Sequence, residues 1–112
     1  MYVAASIHSE YPYNINASLT PRSSYPACTI IEDANQAQIW MEAQVSWDGG
    51  ATYHECQDFD HHFTNLGALY TASDYYDRNY CGSGWYRGWV CVSILEANWD
   101  SGCILTSPVW SP

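Results

Sequence analysis

Residues Gln36–Cys56 read QAQIWMEAQVSWDGGATYHEC. Ala37, Ile39, Met41, Ala43, Val45 and Trp47 fall on one parity; Gln38, Trp40, Glu42, Gln44 and Ser46 fall on the other. A period of two marks a strand with one buried and one wet face. Asp48-Gly49-Gly50 then supplies turn chemistry, because glycine takes positive φ without steric cost. Thr52–Cys56 reads as the returning strand, so the stretch is expected to be a β-hairpin. Trp40 stands on the wet parity, where it either covers a second layer or makes a contact.

The rest of the chain is punctuated in the same way. Ala27–Ile31 is a short β-prone run. A strand is expected over about Ala68–Ser73, although Phe59, Phe63, Leu66 and Tyr70 also have helical spacing. Trp85–Leu95 is apolar on both parities, as a central strand requires. Cys103–Thr106 is expected to be the last strand. Short strands with turns between them and no long helix predict an all-β fold, a small disulfide-stapled β-sandwich of immunoglobulin- or fibronectin-like arrangement. Residues 1–26 hold Pro12, Pro21 and Pro26 and are read as an extended Pro/Tyr-rich arm with one short strand, near Tyr2–Ser9 or Ile15–Leu19. The sandwich domain is then 27–112.

A chain of 112 residues is one domain with a modest core. Its five cysteines, Cys28, Cys56, Cys81, Cys91 and Cys103, include no C-x-x-C pair, which removes zinc-ribbon, thioredoxin-like and c-type haem spacings. They are candidates for disulfides, and hence for an oxidising, extracellular setting. The odd one is free or links two chains. The stretch Met1–Asn14 lacks a basic and a long apolar region, so it does not read as a signal peptide; export implies that one has been removed. No segment approaches a membrane span.

Lysine is absent, and three arginines face twelve acids for a formal charge of −9. That excludes nucleic acid as a partner, which needs a basic footprint. It also disfavours anionic membranes.

Two resemblances attach to particular residues. Ser46-Trp47-Asp48-Gly49-Gly50-Ala51-Thr52-Tyr53 resembles the Asp-box, the S-x-D-x-G-x-T-aromatic hairpin of sialidase-type propellers and other secreted β proteins. That resemblance implies a turn held by the aspartate and the Ser or Thr hydroxyls, and it carries no catalytic residue. The layout from Cys28 to Cys103, with Cys56 followed by Cys81-Gly82-Ser83-Gly84-Trp85-Tyr86-Arg87, looks like small secreted disulfide-containing β-sandwich proteins of actinomycete type. Trp99-Asp100-Ser101-Gly102 faintly echoes Trp47-Asp48-Gly49-Gly50.

Candidate chemistry sits in two places. Tyr75, Tyr76, Tyr80, Trp85, Tyr86 and Trp89 cluster in sequence with Asp74, Asp77, Arg78 and Asn79, and rigid aromatics among acids, an amide and an arginine suit recognition of a protein or a glycan. The bland alternative is that the tryptophans are core and the tyrosines cover it. His54, Cys56, Asp58, Asp60 and His62 would share one face of an extended segment, and imidazole with carboxylate can ligate zinc or copper. The competing reading is a bridged Cys56 and a solvated loop. Asn16-Ala17-Ser18 matches the glycosylation sequon. No nucleophile elbow or phosphate loop is present, and no cofactor is expected. The sequence is thus read as a non-enzymatic extracellular binding module. The alternative is a structural subunit of an extracellular filament, sheath or virion, whose partners are copies of itself assembled through the arm. A small metal-binding protein or hydrolase is third.

Overall fold

In a computed structural model, which describes residues 2–10, 13–20, 37–64, 70–94 and 100–112, the stretch Ala37–Ser46 is a ten-residue strand. In chain order the strands are β1 (Tyr2–Ile7), β2 (Asn14–Thr20), β3 (Ala37–Ser46), β4 (His54–Asp58), β5 (His62–Thr64), β6 (Tyr70–Tyr75), β7 (Gly84–Ile94), β8 (Asp100–Leu105) and β9 (Val109–Ser111). One helical turn, α1 (Arg78–Cys81), precedes β7. The expected strand at Ala27–Ile31 lies outside the described residues, as do Cys28 and Trp99.

The alternation in β3 becomes burial. Ala37, Ile39, Met41, Ala43 and Val45 are all buried, with half-buried residues between them. Trp47 departs from this pattern. The strand ends at Ser46, and Trp47 turns out to 58% exposure. There it stacks on His54, with ring centroids 5.1 Å apart, and donates Nε1–H to the Cys81 carbonyl at 3.0 Å.

The strands form two antiparallel sheets. The smaller has the order β1-β2-β6; the larger has β4-β3-β7-β8, with β5 also on β3 and β9 also on β7. β3 and β7 run in unbroken register from Ala37↔Ile94 to Ser46↔Trp85. β7 is central, as its two apolar parities require. Its other side is shared: β8 pairs with Trp89–Ile94 and β9 with Gly84–Tyr86. Thr106 fills the gap between them. Its N–H donates to the Gly88 carbonyl at 2.9 Å, and its hydroxyl accepts from the Gly88 N–H at 2.8 Å. The tail at Val109–Ser111 is therefore a strand, which the sequence reading missed.

The segment read as an arm belongs to the smaller sheet. Both of the alternative short strands form, and they pair with each other over six residue pairs. Ile7, Ile15, Ala17 and Leu19 join Met41, Val45, Tyr86 and Val90 in one core. The expected boundary at Pro26 lies outside the described residues.

The sheets come close at Gly88, where a Cβ atom would come within 2.8 Å of Ile15 Cγ2 and 3.2 Å of Thr106 Cγ2. Disulfides tie Cys56 to Cys81 and Cys91 to Cys103. For the separations of 25 and 12 residues, the chain-entropy model gives about 3.5 and about 3 kcal/mol. They indicate an oxidising environment. Among the described residues no helix is long and apolar enough to cross a membrane.

The close approach at Gly88 makes a prediction. Gly88→Ala lowers the unfolding free energy by about 1–3 kcal/mol through overpacking, and with Ile15→Ala, which removes the clashing Cγ2, the combined loss is smaller than the sum of the two single losses. Urea unfolding of the two single variants and the double variant checks it.

Candidate functional site

In an antiparallel ladder, residues directly opposite one another project to the same side. Applied to the larger sheet, this rule collects one surface. Its centre is the wet parity of β3: Gln38, Trp40, Glu42 and Gln44. These oppose Ser93, Cys91, Trp89 and Arg87 of β7. Beyond them lie Leu105 opposite Trp89, Trp110 opposite Trp85, and Phe63 opposite Gln38. The reverse side of the same sheet carries the core, so this is its outer face.

The face is rich in rings. Trp110 is 49% exposed and tilts against half-buried Trp85, centroids 5.6 Å apart. Trp40 stacks on His61 at 4.7 Å, and His61 in turn meets exposed Phe63. His61 Nδ1 is 2.8 Å from Gln38 Oε1. Leu105 is half exposed and the Trp89 ring half buried. Cys91 is buried under this cover although it lies on the outer parity.

A polar line crosses between the rings. The Arg87 guanidinium sits 3.8 Å from the Tyr53 ring centroid, a cation–π contact. Arg87 Nε–H donates to Gln44 Oε1 at 2.7 Å, and Gln44 Nε2–H donates to Glu42 Oε2 at 2.5 Å. Glu42 opens onto two further acids. The β3–β4 register reads Glu42↔Asp58 and Ala43↔Gln57, then Gln44↔Glu55. Cys56 is thus the extra residue of a β-bulge. The bulge shifts the parity of β4 and puts Glu55 on the same face as Asp58. One carboxylate oxygen from each of Glu42, Glu55 and Asp58 lies within 4.8 Å of the others. The Glu42 carboxyl is pushed above its ordinary range by burial and then by Asp58, with the Gln44 bond opposing. That of Glu55 is raised by its hydrogen bond with Asp58 and by the charges of Asp58 and Glu42.

This bulge also corrects the expected ligand face. His54, Cys56, Asp58, Asp60 and His62 do not converge. His54 stacks on Trp47, Cys56 is bridged, and Asp58 joins the glutamates. Asp60 is exposed, and His62 Nε2 lies 2.9 Å from Asp74 Oδ2, joining the two sheets. The spacing rule fails because it assumes an unbroken period of two.

The Tyr-rich cluster divides as well. Tyr86 is fully buried and donates its hydroxyl to the Gly82 carbonyl at 2.6 Å. Tyr76, 3% exposed, stacks on it at 5.2 Å and donates to the His8 carbonyl. Both are core, so neither is a ligand contact. Tyr75 and Tyr80 are exposed. Tyr75, at the end of β6, belongs to the smaller sheet, and Tyr80 stands on α1. Arg78 opens α1. Of the aromatic cluster, Trp85 and Trp89 are on the ring-rich face. Trp110 of the tail and Tyr53 of the hairpin loop, which the aromatic cluster did not include, complete that face. Asn16 lies mid-strand in β2, its side-chain oxygen accepting from Ser73 and Asn14.

Asp48 holds the hairpin loop. Its carboxylate accepts from the Ser46 hydroxyl at 2.6 Å, the Thr52 N–H at 2.9 Å and the Thr52 hydroxyl, which hold its pKa well below the ordinary range. The Ser46 hydroxyl also accepts from the Gly50 N–H at 2.8 Å. Gly49 and Gly50 take φ of 74° and 94°.

Comparison with protein-family models, curated proteins and solved structures finds no match.

The acidic cluster yields a pH dependence of definite sign. A carboxyl whose pKa is higher folded than unfolded makes the fold more stable as pH falls from neutrality towards the raised value, because the folded state takes up the proton first. Removing the charge at Glu55 by Glu55→Gln therefore raises the melting temperature near neutral pH by about 2 °C. The difference vanishes below the ordinary glutamate pKa. Thermal scans of both chains across that range check it.

Proposed function

We propose that this chain is a non-catalytic extracellular binding module that recognises a neutral glycan through the outer face of its larger sheet. The observation that carries the reading is the juxtaposition of Trp40, Trp85, Trp89 and Trp110 with the Arg87–Gln44–Glu42 line. Ring faces stack on the apolar faces of sugars, while the amide, guanidinium and carboxylate groups between them bond hydroxyls. A formal charge of −9 and three carboxylates on the face repel anionic chains and leave neutral ones.

Export is supported by the two disulfides. A fibronectin-like arrangement is supported by the strand orders. With β1, β2, β3, β4, β6, β7 and β8 lettered A, B, C, C′, E, F and G, the sheets read A-B-E and C′-C-F-G. Protein partners use the same residue types at hot spots. The flat spread of rings with polar groups between them, rather than one central pocketed anchor, favours the glycan.

An array of neutral and acidic oligosaccharides, followed by calorimetric titration, tests the proposal. Neutral glycans are retained, Trp110→Ala and Trp89→Ala each weaken binding by about tenfold or more, and Tyr80→Ala leaves it unchanged. Retention of acidic glycans only, retention of none, or binding indifferent to Trp110→Ala contradicts it.

A further inference from the structure

Among the described residues the outer edge of β1 has no partner strand. The His8 N–H donates to the Asn14 carbonyl at 2.9 Å, which makes His8 and Asn14 a bonded pair. In an antiparallel ladder such pairs recur every second residue. With the register Ser6↔Asn16, Ala4↔Ser18 and Tyr2↔Thr20, these residues bond inwards to β2. On the far side of β2, the Tyr76 N–H donates to the Tyr13 carbonyl at 3.0 Å, so the odd residues of β2 bond β6 and the even ones bond β1. Val3, Ala5 and Ile7 must therefore direct their N–H and C=O groups away from β2. Among the described residues no strand pairs with that side of β1.

Natural sheets guard such edges with charge, proline, a bulge or shortness. β1 has none of these. Its six residues, YVAASI, contain no charge and no proline, and its register is unbroken. The other edge strands longer than three residues differ. β4 carries Glu55, Asp58 and the bulge; β6 carries Asp74; β8 begins with Asp100. β2 is uncharged as well. The side of the smaller sheet facing away from the core carries no charge among Ala4, Ser6, Asn16, Ser18, Thr71 and Ser73, with exposed Tyr75 at its end opposite Asn14.

We propose that β1 is a dimerisation edge, on which a second copy of this chain lays its own β1 antiparallel to form one continuous six-stranded sheet. The self-complementarity of an antiparallel edge selects the occupant, and charge selects the place. Two copies at −9 repel each other over most of their surfaces. The charge-free edge is where they approach at the least cost. An antiparallel edge is also self-complementary, so a two-fold axis through β1 satisfies the outward groups of both copies. Such pairing closes on itself. It yields a dimer rather than a filament, and it leaves the ring-rich face of each copy open. The inference is independent of the proposed glycan site.

Light scattering on the purified chain from micromolar to millimolar concentration, with free thiol blocked by an alkylating agent and the two disulfides intact, tests it. The expected mass rises from that of one chain to that of two and no further. Ala5→Pro removes an outward N–H and no internal bond. It weakens dimerisation by about tenfold or more while leaving the dilute protein's circular dichroism unchanged. Should that variant fail to fold, hydrogen exchange of the unaltered chain decides. The amides of Val3, Ala5 and Ile7 gain protection with concentration, and those of Ala4 and Ser6 are protected throughout. A monomer at every concentration, an undiminished Ala5→Pro dimer, or exchange at Val3, Ala5 and Ile7 that ignores concentration overturns the proposal.

Discussion

The ladder between β3 and β7 is the constraint on which the rest of the molecule depends. Its register from Ala37↔Ile94 to Ser46↔Trp85 assigns every side chain on both strands to one of two faces. One face holds Ile39, Met41 and Val45 against Tyr86, Val90 and Val92, all buried. Each large apolar side chain there contributes about 1.5–3 kcal/mol by leaving water. The other face holds Trp40, Glu42 and Gln44 beside Arg87 and Trp89. A slip of one residue would exchange the two sets, so the burial that stabilises the fold also fixes which rings reach solvent. The core and the ligand face proposed above are two consequences of one register.

Local departures from ideal pairing do the remaining positioning. The bulge at Cys56 takes that residue out of the ladder, where it bridges to Cys81 on α1. It also rotates Glu55 onto the outer face. Three carboxylates then crowd together; the Glu42 carboxyl is raised chiefly by burial and that of Glu55 chiefly by its hydrogen bond with Asp58, with neighbouring charge adding to both. Gly88 lets the sheets meet, and Thr106 occupies the gap between β8 and β9. At the hairpin loop the order runs the other way: Asp48 is stabilised as an anion by Ser46 and Thr52, and those bonds loosen only in strong acid.

Much of the fold was legible because period two is a backbone property. The alternation in Gln36–Cys56 placed β3 and its buried parity, and the doubly apolar Trp85–Leu95 announced a central strand. The N-terminal segment was less legible. Proline and tyrosine content argued for an arm, whereas the alternation of Val3, Ala5 and Ile7, and of Ile15, Ala17 and Leu19, decided its structure. The candidate site was read less well. Adjacency in sequence grouped Tyr75, Tyr76, Tyr80 and Tyr86, but neighbours in a strand point to opposite faces, and two of the four are core. The proposed surface draws Trp40, Trp89 and Trp110 from three strands. Only the pairing brings them together, and no local pattern reports pairing. The shift at Cys56 was invisible for a related reason, since a bulge is defined by the partner strand.

The central claim is that one side of the β3–β7 ladder is sealed and the other is open. Hydroxyl-radical footprinting of the native chain, read residue by residue by mass spectrometry, measures this directly. Trp110 and Phe63 are predicted to be oxidised rapidly, while Met41, intrinsically the most reactive of the residues compared, and Tyr86 stay protected until the chain unfolds. Oxidation of Met41 or Tyr86 as fast as that of Trp110 in the folded protein would contradict the assignment of faces.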